Sequence, residues 1–262
     1  MPKTRRRLRR ARPGPDIVFW SKRPVLECGL TDIHCHILPG IDDGPATLAE
    51  ALDMAAMAVK DGTRRIIATP HINDTYPEPG SIQQRAAVFN AELRRVGIPL
   101  EVLPGAELQG TAAVENLRKH TLNGTAYVLI EFPQTHLPSN ARQVIFDSLV
   151  AGLRPVIAHP ERNLSVIDRP QLLMELVRAG ALAQISGESL TGSLGPDVLA
   201  CAGYLLKEQA VHFLASDGHG SCWRRPILSR ALRAAGDLVG KEAAMRLVSA
   251  NPEALLKGKP LG

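Results

Sequence analysis

Histidines and carboxylates recur along this chain, each just after a short apolar run rich in β-branched residues. Asp32-Ile33-His34-Cys35-His36 comes first, and Ile66-Ile67-Ala68-Thr69-Pro70-His71 follows. Val102-Leu103-Pro104-Gly105-Ala106-Glu107, Val128-Leu129-Ile130-Glu131 and Val156-Ile157-Ala158-His159 come next, and Phe213-Leu214-Ala215-Ser216-Asp217-Gly218-His219 ends the series. Residues at the carboxyl ends of several parallel strands face one shared mouth. His, Asp and Glu are the side chains that hold divalent transition metals, and eight or nine in one mouth are too many for a single ion. The series predicts a multinuclear metal hydrolase.

Taken singly, the residues differ in what they imply. His34 and His36 are two apart, so on a strand both imidazoles reach the same ion while Cys35 faces away and packs. Asp42-Asp43-Gly44 needs a sharp turn, with one aspartate expected as a ligand and the other as a hydrogen-bond acceptor within the loop. His71 ends a strand and is read as a ligand from its place in the series. Glu107 and Glu131 follow apolar segments, and a carboxylate buried there is costly unless it is paired or metal-bound. His159-Pro160-Glu161-Arg162-Asn163 brings together a ligand, a carboxylate and a guanidinium, with Glu161 either orienting an imidazole or pairing with Arg162. Asp217 and His219 supply two more candidate ligands. Arg162, with Arg224 or Arg225, offers the planar fork that holds phosphate, which favours a phosphate ester over a peptide or amide.

The elements that must position these residues read as repeated βα units with short turns. Strands are expected near 30–35, 64–69, 99–104, 126–132, 154–158, 181–186 and 211–216. Helices are expected near 47–61, 81–97, 111–119, 138–151, 170–179, 195–207 and 226–239, with a last one near 241–249 before a short turn at Asn251-Pro252. Thr47-Leu48-Ala49-Glu50 is a capping box opening the first helix, and Asp61-Gly62 closes it. The pattern predicts an α/β chain with one domain over 29–262, a distorted seven-stranded (β/α) barrel.

At 262 residues with 45% apolar side chains, the chain is long enough to bury one large core. Its formal charge of +5 is uneven. Residues 1–30 hold nine Lys/Arg against two Asp/Glu, leaving 22 basic against 24 acidic residues beyond. Residues 1–28, with Lys3-Thr4-Arg5-Arg6-Arg7-Leu8-Arg9-Arg10, read as a basic extension: a solvated tail, a misplaced start, or an electrostatic foot on an anionic surface. No run approaches the ~20 apolar residues of a membrane span, and no secretory core follows the basic segment, so a cytoplasmic chain without stable membrane insertion is expected. The four cysteines have no CxxC spacing and read as reduced thiols. The residues six beyond them are His34, Ile41, Lys207 and Leu228, so the C-x5-R loop of a thiol phosphatase is lacking.

From Thr31 onward these motifs, together with Asp42-Asp43-Gly44-Pro45, Leu129-Ile130-Glu131-Phe132 and Ser216-Asp217-x-His219, resemble the polymerase and histidinol phosphatase (PHP) superfamily. More narrowly, the chain resembles the CpsB/CapC-like bacterial PHP-type protein tyrosine phosphatases that regulate capsule and exopolysaccharide synthesis, over residues 31–258. That resemblance implies three divalent ions, with Mn²⁺ favoured, on a (β/α)7 barrel. It implies one ion on His34, His36, Glu107 and Asp217. It puts a second on Glu107, Glu131 and His159, and a third on Asp43, His71 and His219. Arg162 and an arginine near Arg224 would bind phosphate. The implied partner is the phosphotyrosine tail of a bacterial tyrosine kinase of polysaccharide export, with no nucleic acid and room for a homo-oligomer. A histidinol-phosphate phosphatase is the nearest alternative. An amidohydrolase would want a carbamylated lysine where Glu131 stands, and a metal-bound scaffold would have no need of conjoined ion sites.

Overall fold

The computed structural model describes residues 29–72 and 79–261, and the basic segment expected over 1–28 lies outside them. Among the described residues nine strands are formed: β1 (Leu30–Cys35), β2 (Thr63–Ala68), β3 (His71–Ile72), β4 (Glu101–Pro104), β5 (Glu107–Gln109), β6 (Tyr127–Glu131), β7 (Arg154–Ala158), β8 (Leu182–Ser186) and β9 (Phe213–Ala215). All their pairings are parallel, in the orders β1-β2-β4 and β3-β5-β6-β7-β8-β9. The seven expected strand paths are present, two of them broken. Proline has no N–H to give a ladder, and Thr69-Pro70 separates β2 from β3, while Gly105-Ala106 separates β4 from β5. The breaks remain stitched, because Glu107 N donates to Pro70 O at 3.1 Å. Closure comes where β9 runs out: Cys35 bridges Gly218 in parallel, Asp217 N donates to His34 O at 2.8 Å, and His36 N donates to Gly218 O at 2.8 Å.

Helices cover the outside: α1 (Leu48–Asp61), α2 (Pro79–Val96), α3 (Val114–Lys119), α4 (Ala141–Val150), α5 (Leu164–Asp168), α6 (Gln171–Arg178), α7 (Gly187–Thr191), α8 (Pro196–Lys207), α9 (Ser229–Val239), α10 (Lys241–Arg246) and α11 (Ala250–Leu256). The α1 cap is as expected, with Glu50 N donating to Thr47 Oγ1 at 3.2 Å and Gly62 in the left-handed region at φ 106°. Two short helices, α5 and α7, were not foreseen, and the expected turn at Asn251-Pro252 is the helix α11.

Strand alternation sorts the core into two compartments. Ile66, Val128, Ile130, Ile157 and Leu214 face outward to the helices. Ile67, Tyr127, Leu129, Val156, Phe213 and Ala215 fill the barrel, where Leu122 and Leu255 join them. Tyr127 and Phe213 meet edge to face at 6.5 Å, and the Tyr127 hydroxyl donates to Lys259 O at 2.5 Å. β1 breaks the alternation: Ile33 belongs to the inner compartment and Cys35 to the outer one. The pairing with β2 slips by a residue between Asp32 and Cys35. A bulge there re-aims the side chains that follow, so Ile33 closes the apolar interior while His34 and His36 face the mouth above it.

Candidate metal centre

The mouth collects the strand ends. His34 lies near the end of β1 and His36 directly follows it, His71 begins β3, Glu107 begins β5, Glu131 ends β6, and His159 follows β7. Asp217 and His219 follow β9, and Asp43 comes from the loop after β1. All nine candidate ligands fall into four groups whose ligand atoms lie within 4.8 Å of one another: His36, Asp43, His71 and His219; His34, Glu107 and His159; His34, His36 and Asp217; His71, Glu107 and Glu131. His34, His36, Glu107, His159, Asp217 and His219 are buried, His71 and Glu131 are half-buried, and Asp43 is about half exposed.

Hydrogen bonds fix which nitrogen of several imidazoles is bare. His34 Nδ1 meets Gln184 Oε1 at 2.8 Å, His36 Nδ1 meets Asp42 Oδ2 at 2.6 Å, and His219 Nδ1 meets the Asp217 carbonyl at 2.9 Å. Each Nδ1 faces an acceptor and so carries a proton, which leaves each Nε2 to take an ion or a second proton. The Nε2 atoms of His34 and His36 then face each other at 3.2 Å. At that distance the two nitrogens must share a proton or a metal ion. His219 Nε2, Glu107 Oε2 and Asp217 Oδ1 are buried without a hydrogen-bond partner. Glu107 Oε2 nevertheless lies 3.2 Å from His34, 3.3 Å from His36 and 3.2 Å from His71, and Glu107 Oε1 lies 3.0 Å from His159. Buried polar atoms are otherwise almost always paired, so this donor set fits divalent ions.

Electrostatics without ions point the same way. Burial opposes charge on His36, but the Asp42 hydrogen bond and Glu107 outweigh it and raise its pKa to about 10. Burial also works against ionised Glu107, yet His34 and the hydrogen bond from His159 hold it well below the usual carboxylate range. Burial, with Glu107 beside it, pushes Glu131 up. Protons stand in for part of the positive charge that a carboxylate-rich mouth demands.

Two arginines converge on one atom. Arg162 Nη1 lies 2.7 Å from Asp217 Oδ2, and Arg224 Nη2 contacts the same oxygen. Asp217 is therefore shared, Oδ2 toward the guanidiniums and Oδ1 toward His34 at 3.3 Å. The Nε atoms of both arginines are buried with no acceptor. Arg225 is exposed, so Arg224 is the member of the pair that faces the mouth. The backbone is strained around this point. His159, Asp217 and Arg224 have φ of 31°, 53° and 42°, a region that costs non-glycine residues about 1–3 kcal/mol and that clusters at functional sites.

Some residues answer differently from their sequence reading. Glu161 neither orients an imidazole nor pairs with Arg162. Its Oε1 accepts from Ser186 N at 2.9 Å and Ser189 Oγ at 2.6 Å, bracing the start of α7. The 3-10 turn Pro160–Arg162 explains this, because at three residues per turn neighbouring side chains point apart. Of the two loop aspartates, Asp42 serves the loop, accepting from Gly44 N and His71 N at 3.0 Å each as well as meeting His36. Asp43 Oδ1 stands 3.4 Å from His219. Gln184 was not foreseen; a glutamine on a strand carries no mark of an orienting role. Asp32, two residues before His34, is buried behind the mouth. Its Oδ1 accepts from Ser216 N at 3.0 Å and His34 N at 3.3 Å, tying β1 to β9, and burial lifts its pKa to about 6. Cys35 packs outward as expected. Burial raises its thiol pKa, and burial with Glu161 nearby pushes Cys201 to about 12, so both stay protonated and poor nucleophiles.

Residues 30–257 match the family of capsular polysaccharide synthesis proteins CpsB/CapC. The chain is 41% identical over 238 residues to the tyrosine-protein phosphatase YwqE of Bacillus subtilis, covering 88% of this chain and 93% of that protein. It is 34% identical to the putative tyrosine-protein phosphatase CapC of Staphylococcus aureus, over 78% and 82% of the two chains. Among solved structures, one from work on YwqE and on CpsB of Streptococcus pneumoniae, described as unique metal-dependent tyrosine phosphatases, superposes with a TM-score of 0.85. It is 40% identical, with 89% of this chain and 96% of that chain covered. The lactonase Lmo2620 of Listeria monocytogenes, with TM-score 0.56 at 12% identity, shares the fold alone.

Proposed function

The chain belongs to the CpsB/CapC family, and from that premise we propose that it is a metal-dependent protein tyrosine phosphatase. The observation that carries the reading is the pair of facing Nε2 atoms on His34 and His36, 3.2 Å apart, among orphaned carboxylate oxygens and beside two arginines. Three divalent ions, Mn²⁺ favoured, are assigned as follows: one to His34, His36, Glu107 and Asp217, one to Glu107, Glu131 and His159, and one to Asp43, His71 and His219. Ions held by these residues would supply the Lewis acidity that lowers the pKa of a bound water and offsets charge on the phosphoryl oxygens.

The chain's own residues do the rest. Gln184 and Asp42 hold the His34 and His36 rings in the tautomer that leaves Nε2 free. Arg162 and Arg224 take the phosphoryl group with the N–H bonds that Asp217 and bulk protein leave unused, most strongly as charge builds on the equatorial oxygens. With Cys35 turned outward, attack needs no thiol and no covalent phosphoenzyme. The substrate class is a phosphotyrosine protein, proposed as the tail of a bacterial tyrosine kinase of polysaccharide export, met in the cytoplasm.

The test is activity on a phosphotyrosine peptide, p-nitrophenyl phosphate and histidinol phosphate, for protein stripped by a chelator and then reloaded with Mn²⁺. Loss on stripping, recovery with Mn²⁺ and preference for the peptide are expected. Preference for histidinol phosphate would move the chain to the small-molecule branch, and undiminished activity of stripped protein would refute the reading.

A further inference from the structure

Nothing in a cluster of imidazoles and carboxylates distinguishes a tyrosyl ester from any other phosphomonoester, and a residue at the rim supplies what the cluster lacks. Resting on the phosphatase reading above, we propose that Trp223 is an aromatic platform that receives the ring of an aryl phosphate and so selects phosphotyrosine over alkyl esters.

Four observations carry it. The loop after β9 is pinched by a hydrogen bond from His219 N to Arg224 O at 2.7 Å, which fixes Trp223 directly beside a candidate ligand and a candidate phosphate-binding arginine. The indole ring lies 5.9 Å from the His219 ring, tilted by 45°, and 6.0 Å from the Arg224 guanidinium carbon. Gly220 leaves the indole its place, since a Cβ there would come within 3.1 Å of Trp223 Nε1 and 3.3 Å of its carbonyl oxygen. Trp223 is nevertheless 54% exposed.

An indole with more than half its area exposed beside the candidate phosphate site is a surface that can take a partner. An aryl ester holds its ring two bonds from phosphorus, so a phosphoryl group on Arg224 brings that ring within reach of the indole. Offset or edge-to-face packing then adds attraction beyond simple burial of apolar area. A phosphoserine or other alkyl ester has no ring to place there. The platform touches substrate equally before and during attack, so it acts on binding rather than on turnover.

The experiment uses the Mn²⁺-loaded full chain. Trp223→Ala and Trp223→Phe are compared with wild type for kcat and KM on a phosphotyrosine peptide, and for competitive inhibition by phenylphosphonate and by methylphosphonate. Trp223→Ala is expected to raise the peptide KM and the phenylphosphonate Ki about two- to tenfold, with kcat, the methylphosphonate Ki and metal content within about twofold. Trp223→Phe, which keeps an aromatic face, should recover most of the loss. Equal weakening of both phosphonates, or no weakening of either, would overturn the platform while leaving the phosphatase reading standing. A wild-type protein that neither hydrolyses the peptide nor binds either phosphonate would overturn both.

Discussion

The lower and upper halves of this barrel are built from the same strands and obey opposite rules. Below, Ile33, Ile67, Leu129, Val156 and Phe213 exclude water, and among them the Tyr127 hydroxyl has its acceptor. A few residues further along the strands, imidazoles and carboxylates crowd together, with buried atoms of Glu107, Asp217 and His219 lacking hydrogen-bond partners. The lower half is complete as a piece of protein. The upper half is complete only with something added, and its strained φ values at His159, Asp217 and Arg224 show that the fold carries a local cost to bring it together. Stability and chemistry thus separate along the barrel axis, and substitutions in the two halves should report on different quantities.

The sharpest break in that comparison is expected from the lower half. Phe213→Ala removes a fully buried ring that packs on Tyr127 and should cost about 3–5 kcal/mol of stability. Denaturant midpoints, compared with metal content of the surviving folded protein, would check it. If the halves are independent, ion content per folded chain stays at the wild-type level.

In the upper half the reverse holds. Arg162→Ala should leave metal content and folding intact and lower kcat/KM on a phosphotyrosine peptide by about 10²–10³, or ~2.7–4 kcal/mol of transition-state stabilisation. Arg162→Lys should recover only part, because an ammonium lacks the bidentate fork. Elemental analysis beside steady-state kinetics reads both. Near-full activity in Arg162→Ala would hand the phosphate to Arg224 alone.

Gln184→Ala sits at the boundary, removing the acceptor that holds His34 Nδ1 at 2.8 Å. Loss of such a supporting hydrogen bond should weaken metal affinity about 10–100-fold, measured by competition with a chromophoric chelator. The smallest effect is expected from outside both halves. Every candidate ligand lies beyond residue 31, so deleting residues 1–26 should change turnover of a small phosphoester by less than about twofold, under ~0.5 kcal/mol.

Much of this was legible because the barrel repeats. A candidate ligand near a strand end announces itself by the apolar run before it, and these residues, from His34 to His219, meet in one mouth with Asp43 of the loop after β1. The breaks at Pro70 and Gly105 were harder to read, since pairing that resumes after a gap leaves no change in apolar pattern. Supporting residues were least visible. Gln184 and Ser189 gain their roles from partners 150 and 28 residues away, and neither side chain is distinctive in its own segment. The choice between Arg224 and Arg225 rests on the exposure of Arg225 and the contact of Arg224 with Asp217, which two identical neighbours in sequence cannot disclose.

Glu107 tests the central claim most directly, because its two oxygens stand within 3.3 Å of His34, His36, His71 and His159 and so join the proposed ion sites. The measurement is ions bound per chain, by elemental analysis, together with phosphotyrosine-peptide hydrolysis, for wild type and Glu107→Gln. Up to three Mn²⁺ per wild-type chain are predicted, with fewer ions and loss of hydrolysis in a folded Glu107→Gln. A Glu107→Gln protein that keeps the full complement of ions, or that hydrolyses the peptide with none bound, would contradict the account.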